Sequence, residues 1–185
     1  MPDSSLDLQG IARFGSTDYL VLLGLVLFGR GMDLFSTWIA TPTLELEANP
    51  IARALGWRGG VAVNLVACLV LAVLPLAAVS VATTSVLVAS RNLQSAWLMR
   101  TLGEHEYRAW IAARYRETPR GVFVICLLLH TGLLGLVGGA LMLFSRWQLV
   151  PFAVGFGILT YALAVGLYTG LGMHRAARSD RPPNS

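Results

Sequence analysis

Arg30, Asp33 and Thr37 stand in a stretch that is otherwise apolar from 19 to 39, apart from Ser36. Their i, i+3 and i+7 spacing puts all three on one face of a helix. A charge at mid-bilayer costs about 3 kcal/mol or more, so such side chains turn to a protein interior and a partner. A guanidinium and a carboxylate held there can neutralise each other and fix helix packing. They can also form a polar site for a proton, a cation or an anionic headgroup.

Further groups of this kind follow along the chain. Glu45, Glu47 and Asn49 precede Pro50, Asn64 interrupts the next apolar run, and His130 interrupts a later one. Asp33, Glu47 and His130 together would offer two hard oxygen ligands and an imidazole, a set suited to a divalent cation. The same three could supply a histidine base and its carboxylate partner for chemistry on a lipid. Each group also has a plainer reading. Asn49-Pro50 fits an N-cap and a first-turn proline, Glu45 and Glu47 fit solvated interfacial carboxylates, and His130 fits a hydrogen bond to a neighbouring helix. The candidate polar intramembrane site is therefore Arg30, Asp33, Thr37, Glu47, Asn49, Asn64 and His130, with Tyr161 at similar depth.

Composition says what must hold these groups. Of 185 residues 55% are hydrophobic and 13% charged, with mean hydropathy +0.64. A soluble domain carries roughly a quarter charged residues, so one integral membrane domain is the natural reading. All fourteen basic residues are arginine, and their clustering between apolar runs points to membrane topology and not to nucleic acid. Cys68 and Cys126 fall in apolar runs at different depths and read as structural thiols. No HExxH, GxSxG, paired-aspartate or haem-attachment pattern occurs, no cysteine-histidine metal spacing occurs, and no cofactor is indicated.

The pattern predicts an all-α, polytopic membrane protein with four transmembrane helices in a bundle, at 19–41, 61–84, 120–144 and 149–173. At about 1.5 Å per residue each of these crosses roughly 30 Å of hydrocarbon. Pro75 would kink the second. Residues 1–18 form a polar N-terminus that lacks the pattern of a secretory signal, and 174–185 form a polar tail read as disordered. The segment 91–118 mixes six arginines (counting Arg120) with Leu93, Trp97, Leu98, Leu102, Tyr107, Trp110, Ile111 and Tyr115 at helical spacing. It reads as an amphipathic element on the cytoplasmic membrane surface. The arginine distribution then gives an N-in/C-in orientation in the inner membrane. Gly135 and Gly139 form a GxxxG pair, and Gly166 and Gly170 a second small-residue pair, through which a homo-oligomer can form. The expected partners are membrane lipids, with no nucleic acid.

The run Asp33-Leu34-Phe35-Ser36-Thr37, followed ten residues later by Glu47-Ala48-Asn49-Pro50, resembles an uncharacterised family of small prokaryotic integral membrane proteins. In that family an aspartate and a threonine end the first membrane helix and a Glu-x-Asn-Pro loop follows. The resemblance implies a membrane location and brings no established activity. Three functions therefore stand open at this stage: a structural or accessory membrane protein, a small ion- or proton-linked carrier or lipid-binding protein, and a membrane-embedded enzyme acting on a lipid.

Overall fold

The apolar residues from 61 to 84 do not form one crossing. The chain turns back on itself at 72–74, and Pro75 opens a new helix. Leu74 is extended (φ −111, ψ 96), as the steric demand of a following proline requires. At the first helical position a missing N–H costs nothing, so Pro75 initiates a helix where a kink was expected. The computed structural model describes residues 10–178 except 48 and 49, and of 172–178 the backbone alone.

Six helices follow one another: α1 (Thr17–Ala40), α2 (Pro50–Leu71), α3 (Pro75–Leu102), α4 (Glu104–Glu117), α5 (Arg120–Phe144) and α6 (Leu149–Arg178). All but α4 are long and apolar enough to cross a membrane. The expected count of four crossings therefore gives way to five candidate spans, because one apolar run holds the end of α2 and the start of α3. The surface segment expected at 91–118 is likewise divided. Its first part, with Arg91 and Arg100, extends α3. Gly103 then takes a positive φ of 82° and breaks the helix, a conformation that favours glycine, and α4 follows.

Two buried ends make the turn at 72–74 tenable. The Ala12 N–H donates to the Val73 carbonyl (2.9 Å), and the Tyr19 hydroxyl donates to the Leu69 carbonyl (3.3 Å). Carbonyls at a helix end lack intrahelical donors and must find others where water is scarce. Ser16 caps α1 by accepting from the Tyr19 N–H (3.2 Å). Tyr19, Leu22, Val26, Cys68, Ala72, Ala78, Val79 and Ala153 pack around this junction as the core. On α2, Pro50 opens a short helical stretch that Gly56 stops with φ 63°.

The helices lie side by side in the order α2, α1, α3, α6, α5. Cross-contacts give their directions. The α1 start meets 69–73, Arg30 meets Asn64 and Ser85, and Thr37 meets Asn92, so α2 runs against α1 and α3 runs with it. Ser80 meets Ala153 and Thr84 meets Gly157, so α6 is parallel to α3, and α5 runs back against α6. The loop after α1, the α4 helix and the α5 start thus share one end of the molecule.

Bundles in lipid gain nothing from moving apolar surface out of water, so close packing and interhelical hydrogen bonds must hold them. Glycine supplies the approach at each main seam. A methyl on Gly29 would stand 2.9 Å from the Ala82 Cα, one on Gly157 2.7 Å from the Ser80 carbonyl oxygen, and one on Gly138 2.7 Å from the Gly155 carbonyl oxygen. The Ser80 hydroxyl donates to the Ala153 carbonyl (3.0 Å) and Thr84 to the Gly157 carbonyl (2.9 Å). Each such bond contributes about 0.6 kcal/mol on average.

Candidate functional site

Arg30 lies ten residues before the α1 end, about 15 Å deep along the helix, and its guanidinium joins three helices. Its Nη1 donates to Asp33 Oδ2 one turn on (2.7 Å) and to the Ser85 hydroxyl of α3 (3.2 Å), and its Nε donates to Asn64 Oδ1 of α2 (2.7 Å). Asn64 is oriented for this, because its NH2 donates to the Gly60 carbonyl of its own helix (2.8 Å) and leaves Oδ1 to the arginine. The pair is largely enclosed, with 30% of the Arg30 side chain and 15% of the Asp33 side chain exposed. Arginine cannot release its proton under ordinary conditions, so the carboxylate and guanidinium stay mutually compensated.

One turn further, Ser36 donates to the Asp33 carbonyl (2.9 Å), and the Asn92 amide of α3 donates to both Ser36 (3.3 Å) and Thr37 (3.1 Å). The polar stripe read from spacing thus meets a second stripe on α3. Glu47 lies within electrostatic reach of Asp33. Asn49 lies outside the described residues.

Above the stripe, Glu104 closes the end of the bundle. Its carboxylate accepts hydrogen bonds from the Thr41 hydroxyl, the Thr43 hydroxyl (2.8 Å), the Thr43 N–H (3.0 Å) and the Glu45 N–H (3.1 Å). Arg108 of α4 pairs with the Glu45 carboxylate (3.0 Å) and its backbone carbonyl, and the Trp57 indole donates to the Pro42 carbonyl (2.8 Å). Burial raises the Glu104 pKa, but these hydrogen bonds to the charged form outweigh it and hold the carboxyl below its usual 4.5. A carboxyl with a depressed folded-state pKa adds stability that is present above the unfolded value and lost as pH falls through the folded one. The clasp is therefore expected to hold at neutral pH and to open below about pH 4.5. A lower protection factor at the Thr43 and Glu45 amides on acidification, taken relative to the intrinsic exchange rate at each pH, and at neutral pH in Glu104→Ala, is the expected readout; unchanged protection in Glu104→Ala would contradict it.

His130 lies elsewhere. With Tyr161 it lines a cleft of about 460 Å³ formed by α3, α5 and α6, and among the described residues α1 and α5 make no contact. The structure therefore brings together Arg30, Asp33 and Asn64 directly, Thr37 through Asn92, and Glu47 by proximity, and it leaves His130 out. A joint site of Asp33, Glu47 and His130, whether for a cation or for acid-base chemistry, has no geometric basis. No group of three or more metal-ligating side chains occurs among the described residues. Cys68 is buried and Cys126 exposed, both free.

Compared with protein-family models, with curated proteins and with solved structures, the chain matches none of them. Its chemistry must therefore be read from its own geometry.

Sequence reasoning missed Ser85, Asn92, Thr41, Thr43 and Glu104. A signal existed for three of them. Ser85 and Asn92 are seven apart, hence on one helical face, and the break at Pro75 puts them in a helix of their own. Glu104 directly follows Gly103, an acidic residue in the first turn of α4 where the helix dipole favours it.

Proposed function

We propose that the protein is a structural or accessory protein of the inner membrane, crossing it five times, with the polar centre of α1 serving to pin α1, α2 and α3 together. The observation that carries this reading is the guanidinium of Arg30, whose hydrogen bonds end on a different helix in each of three directions. A group bound so completely by its own chain is a poor receptor for an external ligand.

Orientation follows from the arginines. The end of the molecule that bears α4 carries Arg53, Arg58, Arg91, Arg100, Arg108, Arg114, Arg116 and Arg120, and the opposite end carries Arg13 and Arg146. Eight against two among the described side chains favours the α4 end as cytoplasmic. Five crossings then leave the N-terminus outside and the C-terminus inside. Gly139 and Gly170 have open space beside them, whereas Gly135 and Gly166 face Leu159 and Thr131 across the α5–α6 seam, so a second copy would have to dock through Gly139 or Gly170.

One observation favours a second reading, a small proton-linked carrier: Glu47 stands near Asp33, and both lie on the α4 side of Arg30. Proteoliposomes separate the two. With the pinning role, Asp33→Asn gives a folded protein with a Tm lower by several degrees, and a pH gradient drives no flux in either protein. Flux through the parent that Asp33→Asn abolishes would replace the structural reading with the carrier.

A further inference from the structure

The cleft between α3, α5 and α6 has no part in the pin. We propose that it binds one anionic phospholipid drawn from the leaflet on the α4 side, with the lipid phosphate on Arg91 and His130. Three features argue for this occupant.

The first is charge. Arg91 is exposed, and its described hydrogen bond is a long one to the Thr169 hydroxyl (3.3 Å). Arg30, Arg108 and Arg114 each pair with a carboxylate; among the described residues no carboxylate pairs with Arg91, and none lines the cleft. A cation on a membrane-spanning helix calls for a partner of opposite charge, and among the described residues no carboxylate supplies one.

The second is order along the membrane normal. The α3 helix climbs towards α4 while α5 descends away from it. Gln94 therefore lies nearer the α4 end than Arg91, and Leu87 lies one turn below Arg91. On α5, Leu134 lies one turn below His130. Thr169 marks the height to which the Arg91 side chain reaches. The charged and amide side chains Arg91 and Gln94 thus stand towards the membrane surface beside Phe123 and Leu127, and Leu87 and Leu134 with Tyr161 line the deeper end, so a headgroup at Arg91 leaves its acyl chain directed towards the bilayer centre.

The third is access. Of the α5 side chains that line the cleft, Cys126 and His130 are exposed, so the cleft is open at the side of a spanning helix, where acyl chains lie. The occupant can enter sideways from the bilayer. A space of about 460 Å³ falls within the range of small-molecule sites and suits one chain and the base of its headgroup. Arg91 binds phosphate through charge-assisted hydrogen bonds, and cytoplasmic-side arginines near anionic headgroups are favourable in themselves.

Native mass spectrometry of the full chain, released from detergent, tests the proposal with four probes: dioleoylphosphatidylglycerol, dioleoylphosphatidylcholine, oleate and inorganic phosphate. The expected result is a single phosphatidylglycerol adduct, retained about five- to ten-fold more than phosphatidylcholine. Arg91→Gln should lower that retention by a similar factor while Arg91→Lys keeps most of it. Leu134→Trp, which fills the apolar end without touching any charge, should lower it too. Equal retention of both phospholipids would overturn the proposal, as would oleate or inorganic phosphate binding in place of the phospholipid. So would a phosphatidylglycerol adduct that survives both Arg91→Gln and Leu134→Trp in proteins that keep the parent Tm.

Discussion

Arg30→Met is expected to destabilise the detergent-solubilised protein by about 3–5 kcal/mol, the usual cost of removing one member of a buried ion pair. The loss has two parts. Asp33 is left as an uncompensated carboxylate in an apolar surround, and Asn64 and Ser85 lose the donor that ties α2 and α3 to α1. The double variant Arg30→Met with Asp33→Leu should recover much of the difference, since replacing both charges by apolar groups removes the unpaired charge. Unfolding in denaturant, followed by tryptophan fluorescence, measures both. A single variant as stable as the parent would show that the network contributes little to packing, and the pinning role would fall.

The second large effect is steric. Gly155 has the Gly138 carbonyl oxygen 2.5 Å from where its Cβ would stand, with Met142 Cγ at 2.9 Å and Leu141 Cβ at 3.0 Å. Gly155→Ala must push α5 away from α6 and is expected to cost about 1–3 kcal/mol, the usual range for overpacking. A leucine there should cost more. Gly139 on α5 has nothing within 4 Å, so Gly139→Ala serves as the control with little or no loss in the monomer. Equal stabilities for the two alanine variants would contradict the α5–α6 seam described here.

Much of this architecture is legible in the sequence, because apolar length and arginine placement are both written there. The polar face of the first crossing is legible as well: Arg30, Asp33 and Thr37 share a stripe by spacing alone, Arg30 and Thr37 find partners on neighbouring helices, and Asp33 pairs with Arg30. The turn at 72–74 is not legible. Ala72, Val73 and Leu74 are as apolar as a helix interior, and a proline in an apolar run reads equally as a kink or as a helix start. The polar groups that decide between them, the Ala12 N–H and the Tyr19 hydroxyl, come from more than fifty residues away and carry no local mark. That one ambiguity also moved His130. Four crossings put Arg30 and His130 at similar depth and allowed them to meet, whereas the extra helix leaves α1 against α2 and α3 and places His130 across the bundle. Depth along a helix is readable from sequence, but the neighbour at that depth depends on how many helices there are.

The central claim is the α2–α3 hairpin, and labelling of single cysteines in intact cells tests it directly. In a background with Cys68 and Cys126 replaced by alanine, Ala54→Cys reports the start of α2 and Leu74→Cys reports the turn before α3. Five crossings with α4 in the cytoplasm predict that a membrane-impermeant maleimide labels Leu74→Cys in intact cells. It should reach Ala54→Cys only after permeabilisation. Labelling of Ala54→Cys from outside, with Leu74→Cys unreactive throughout, would return 61–84 to a single crossing and contradict the hairpin.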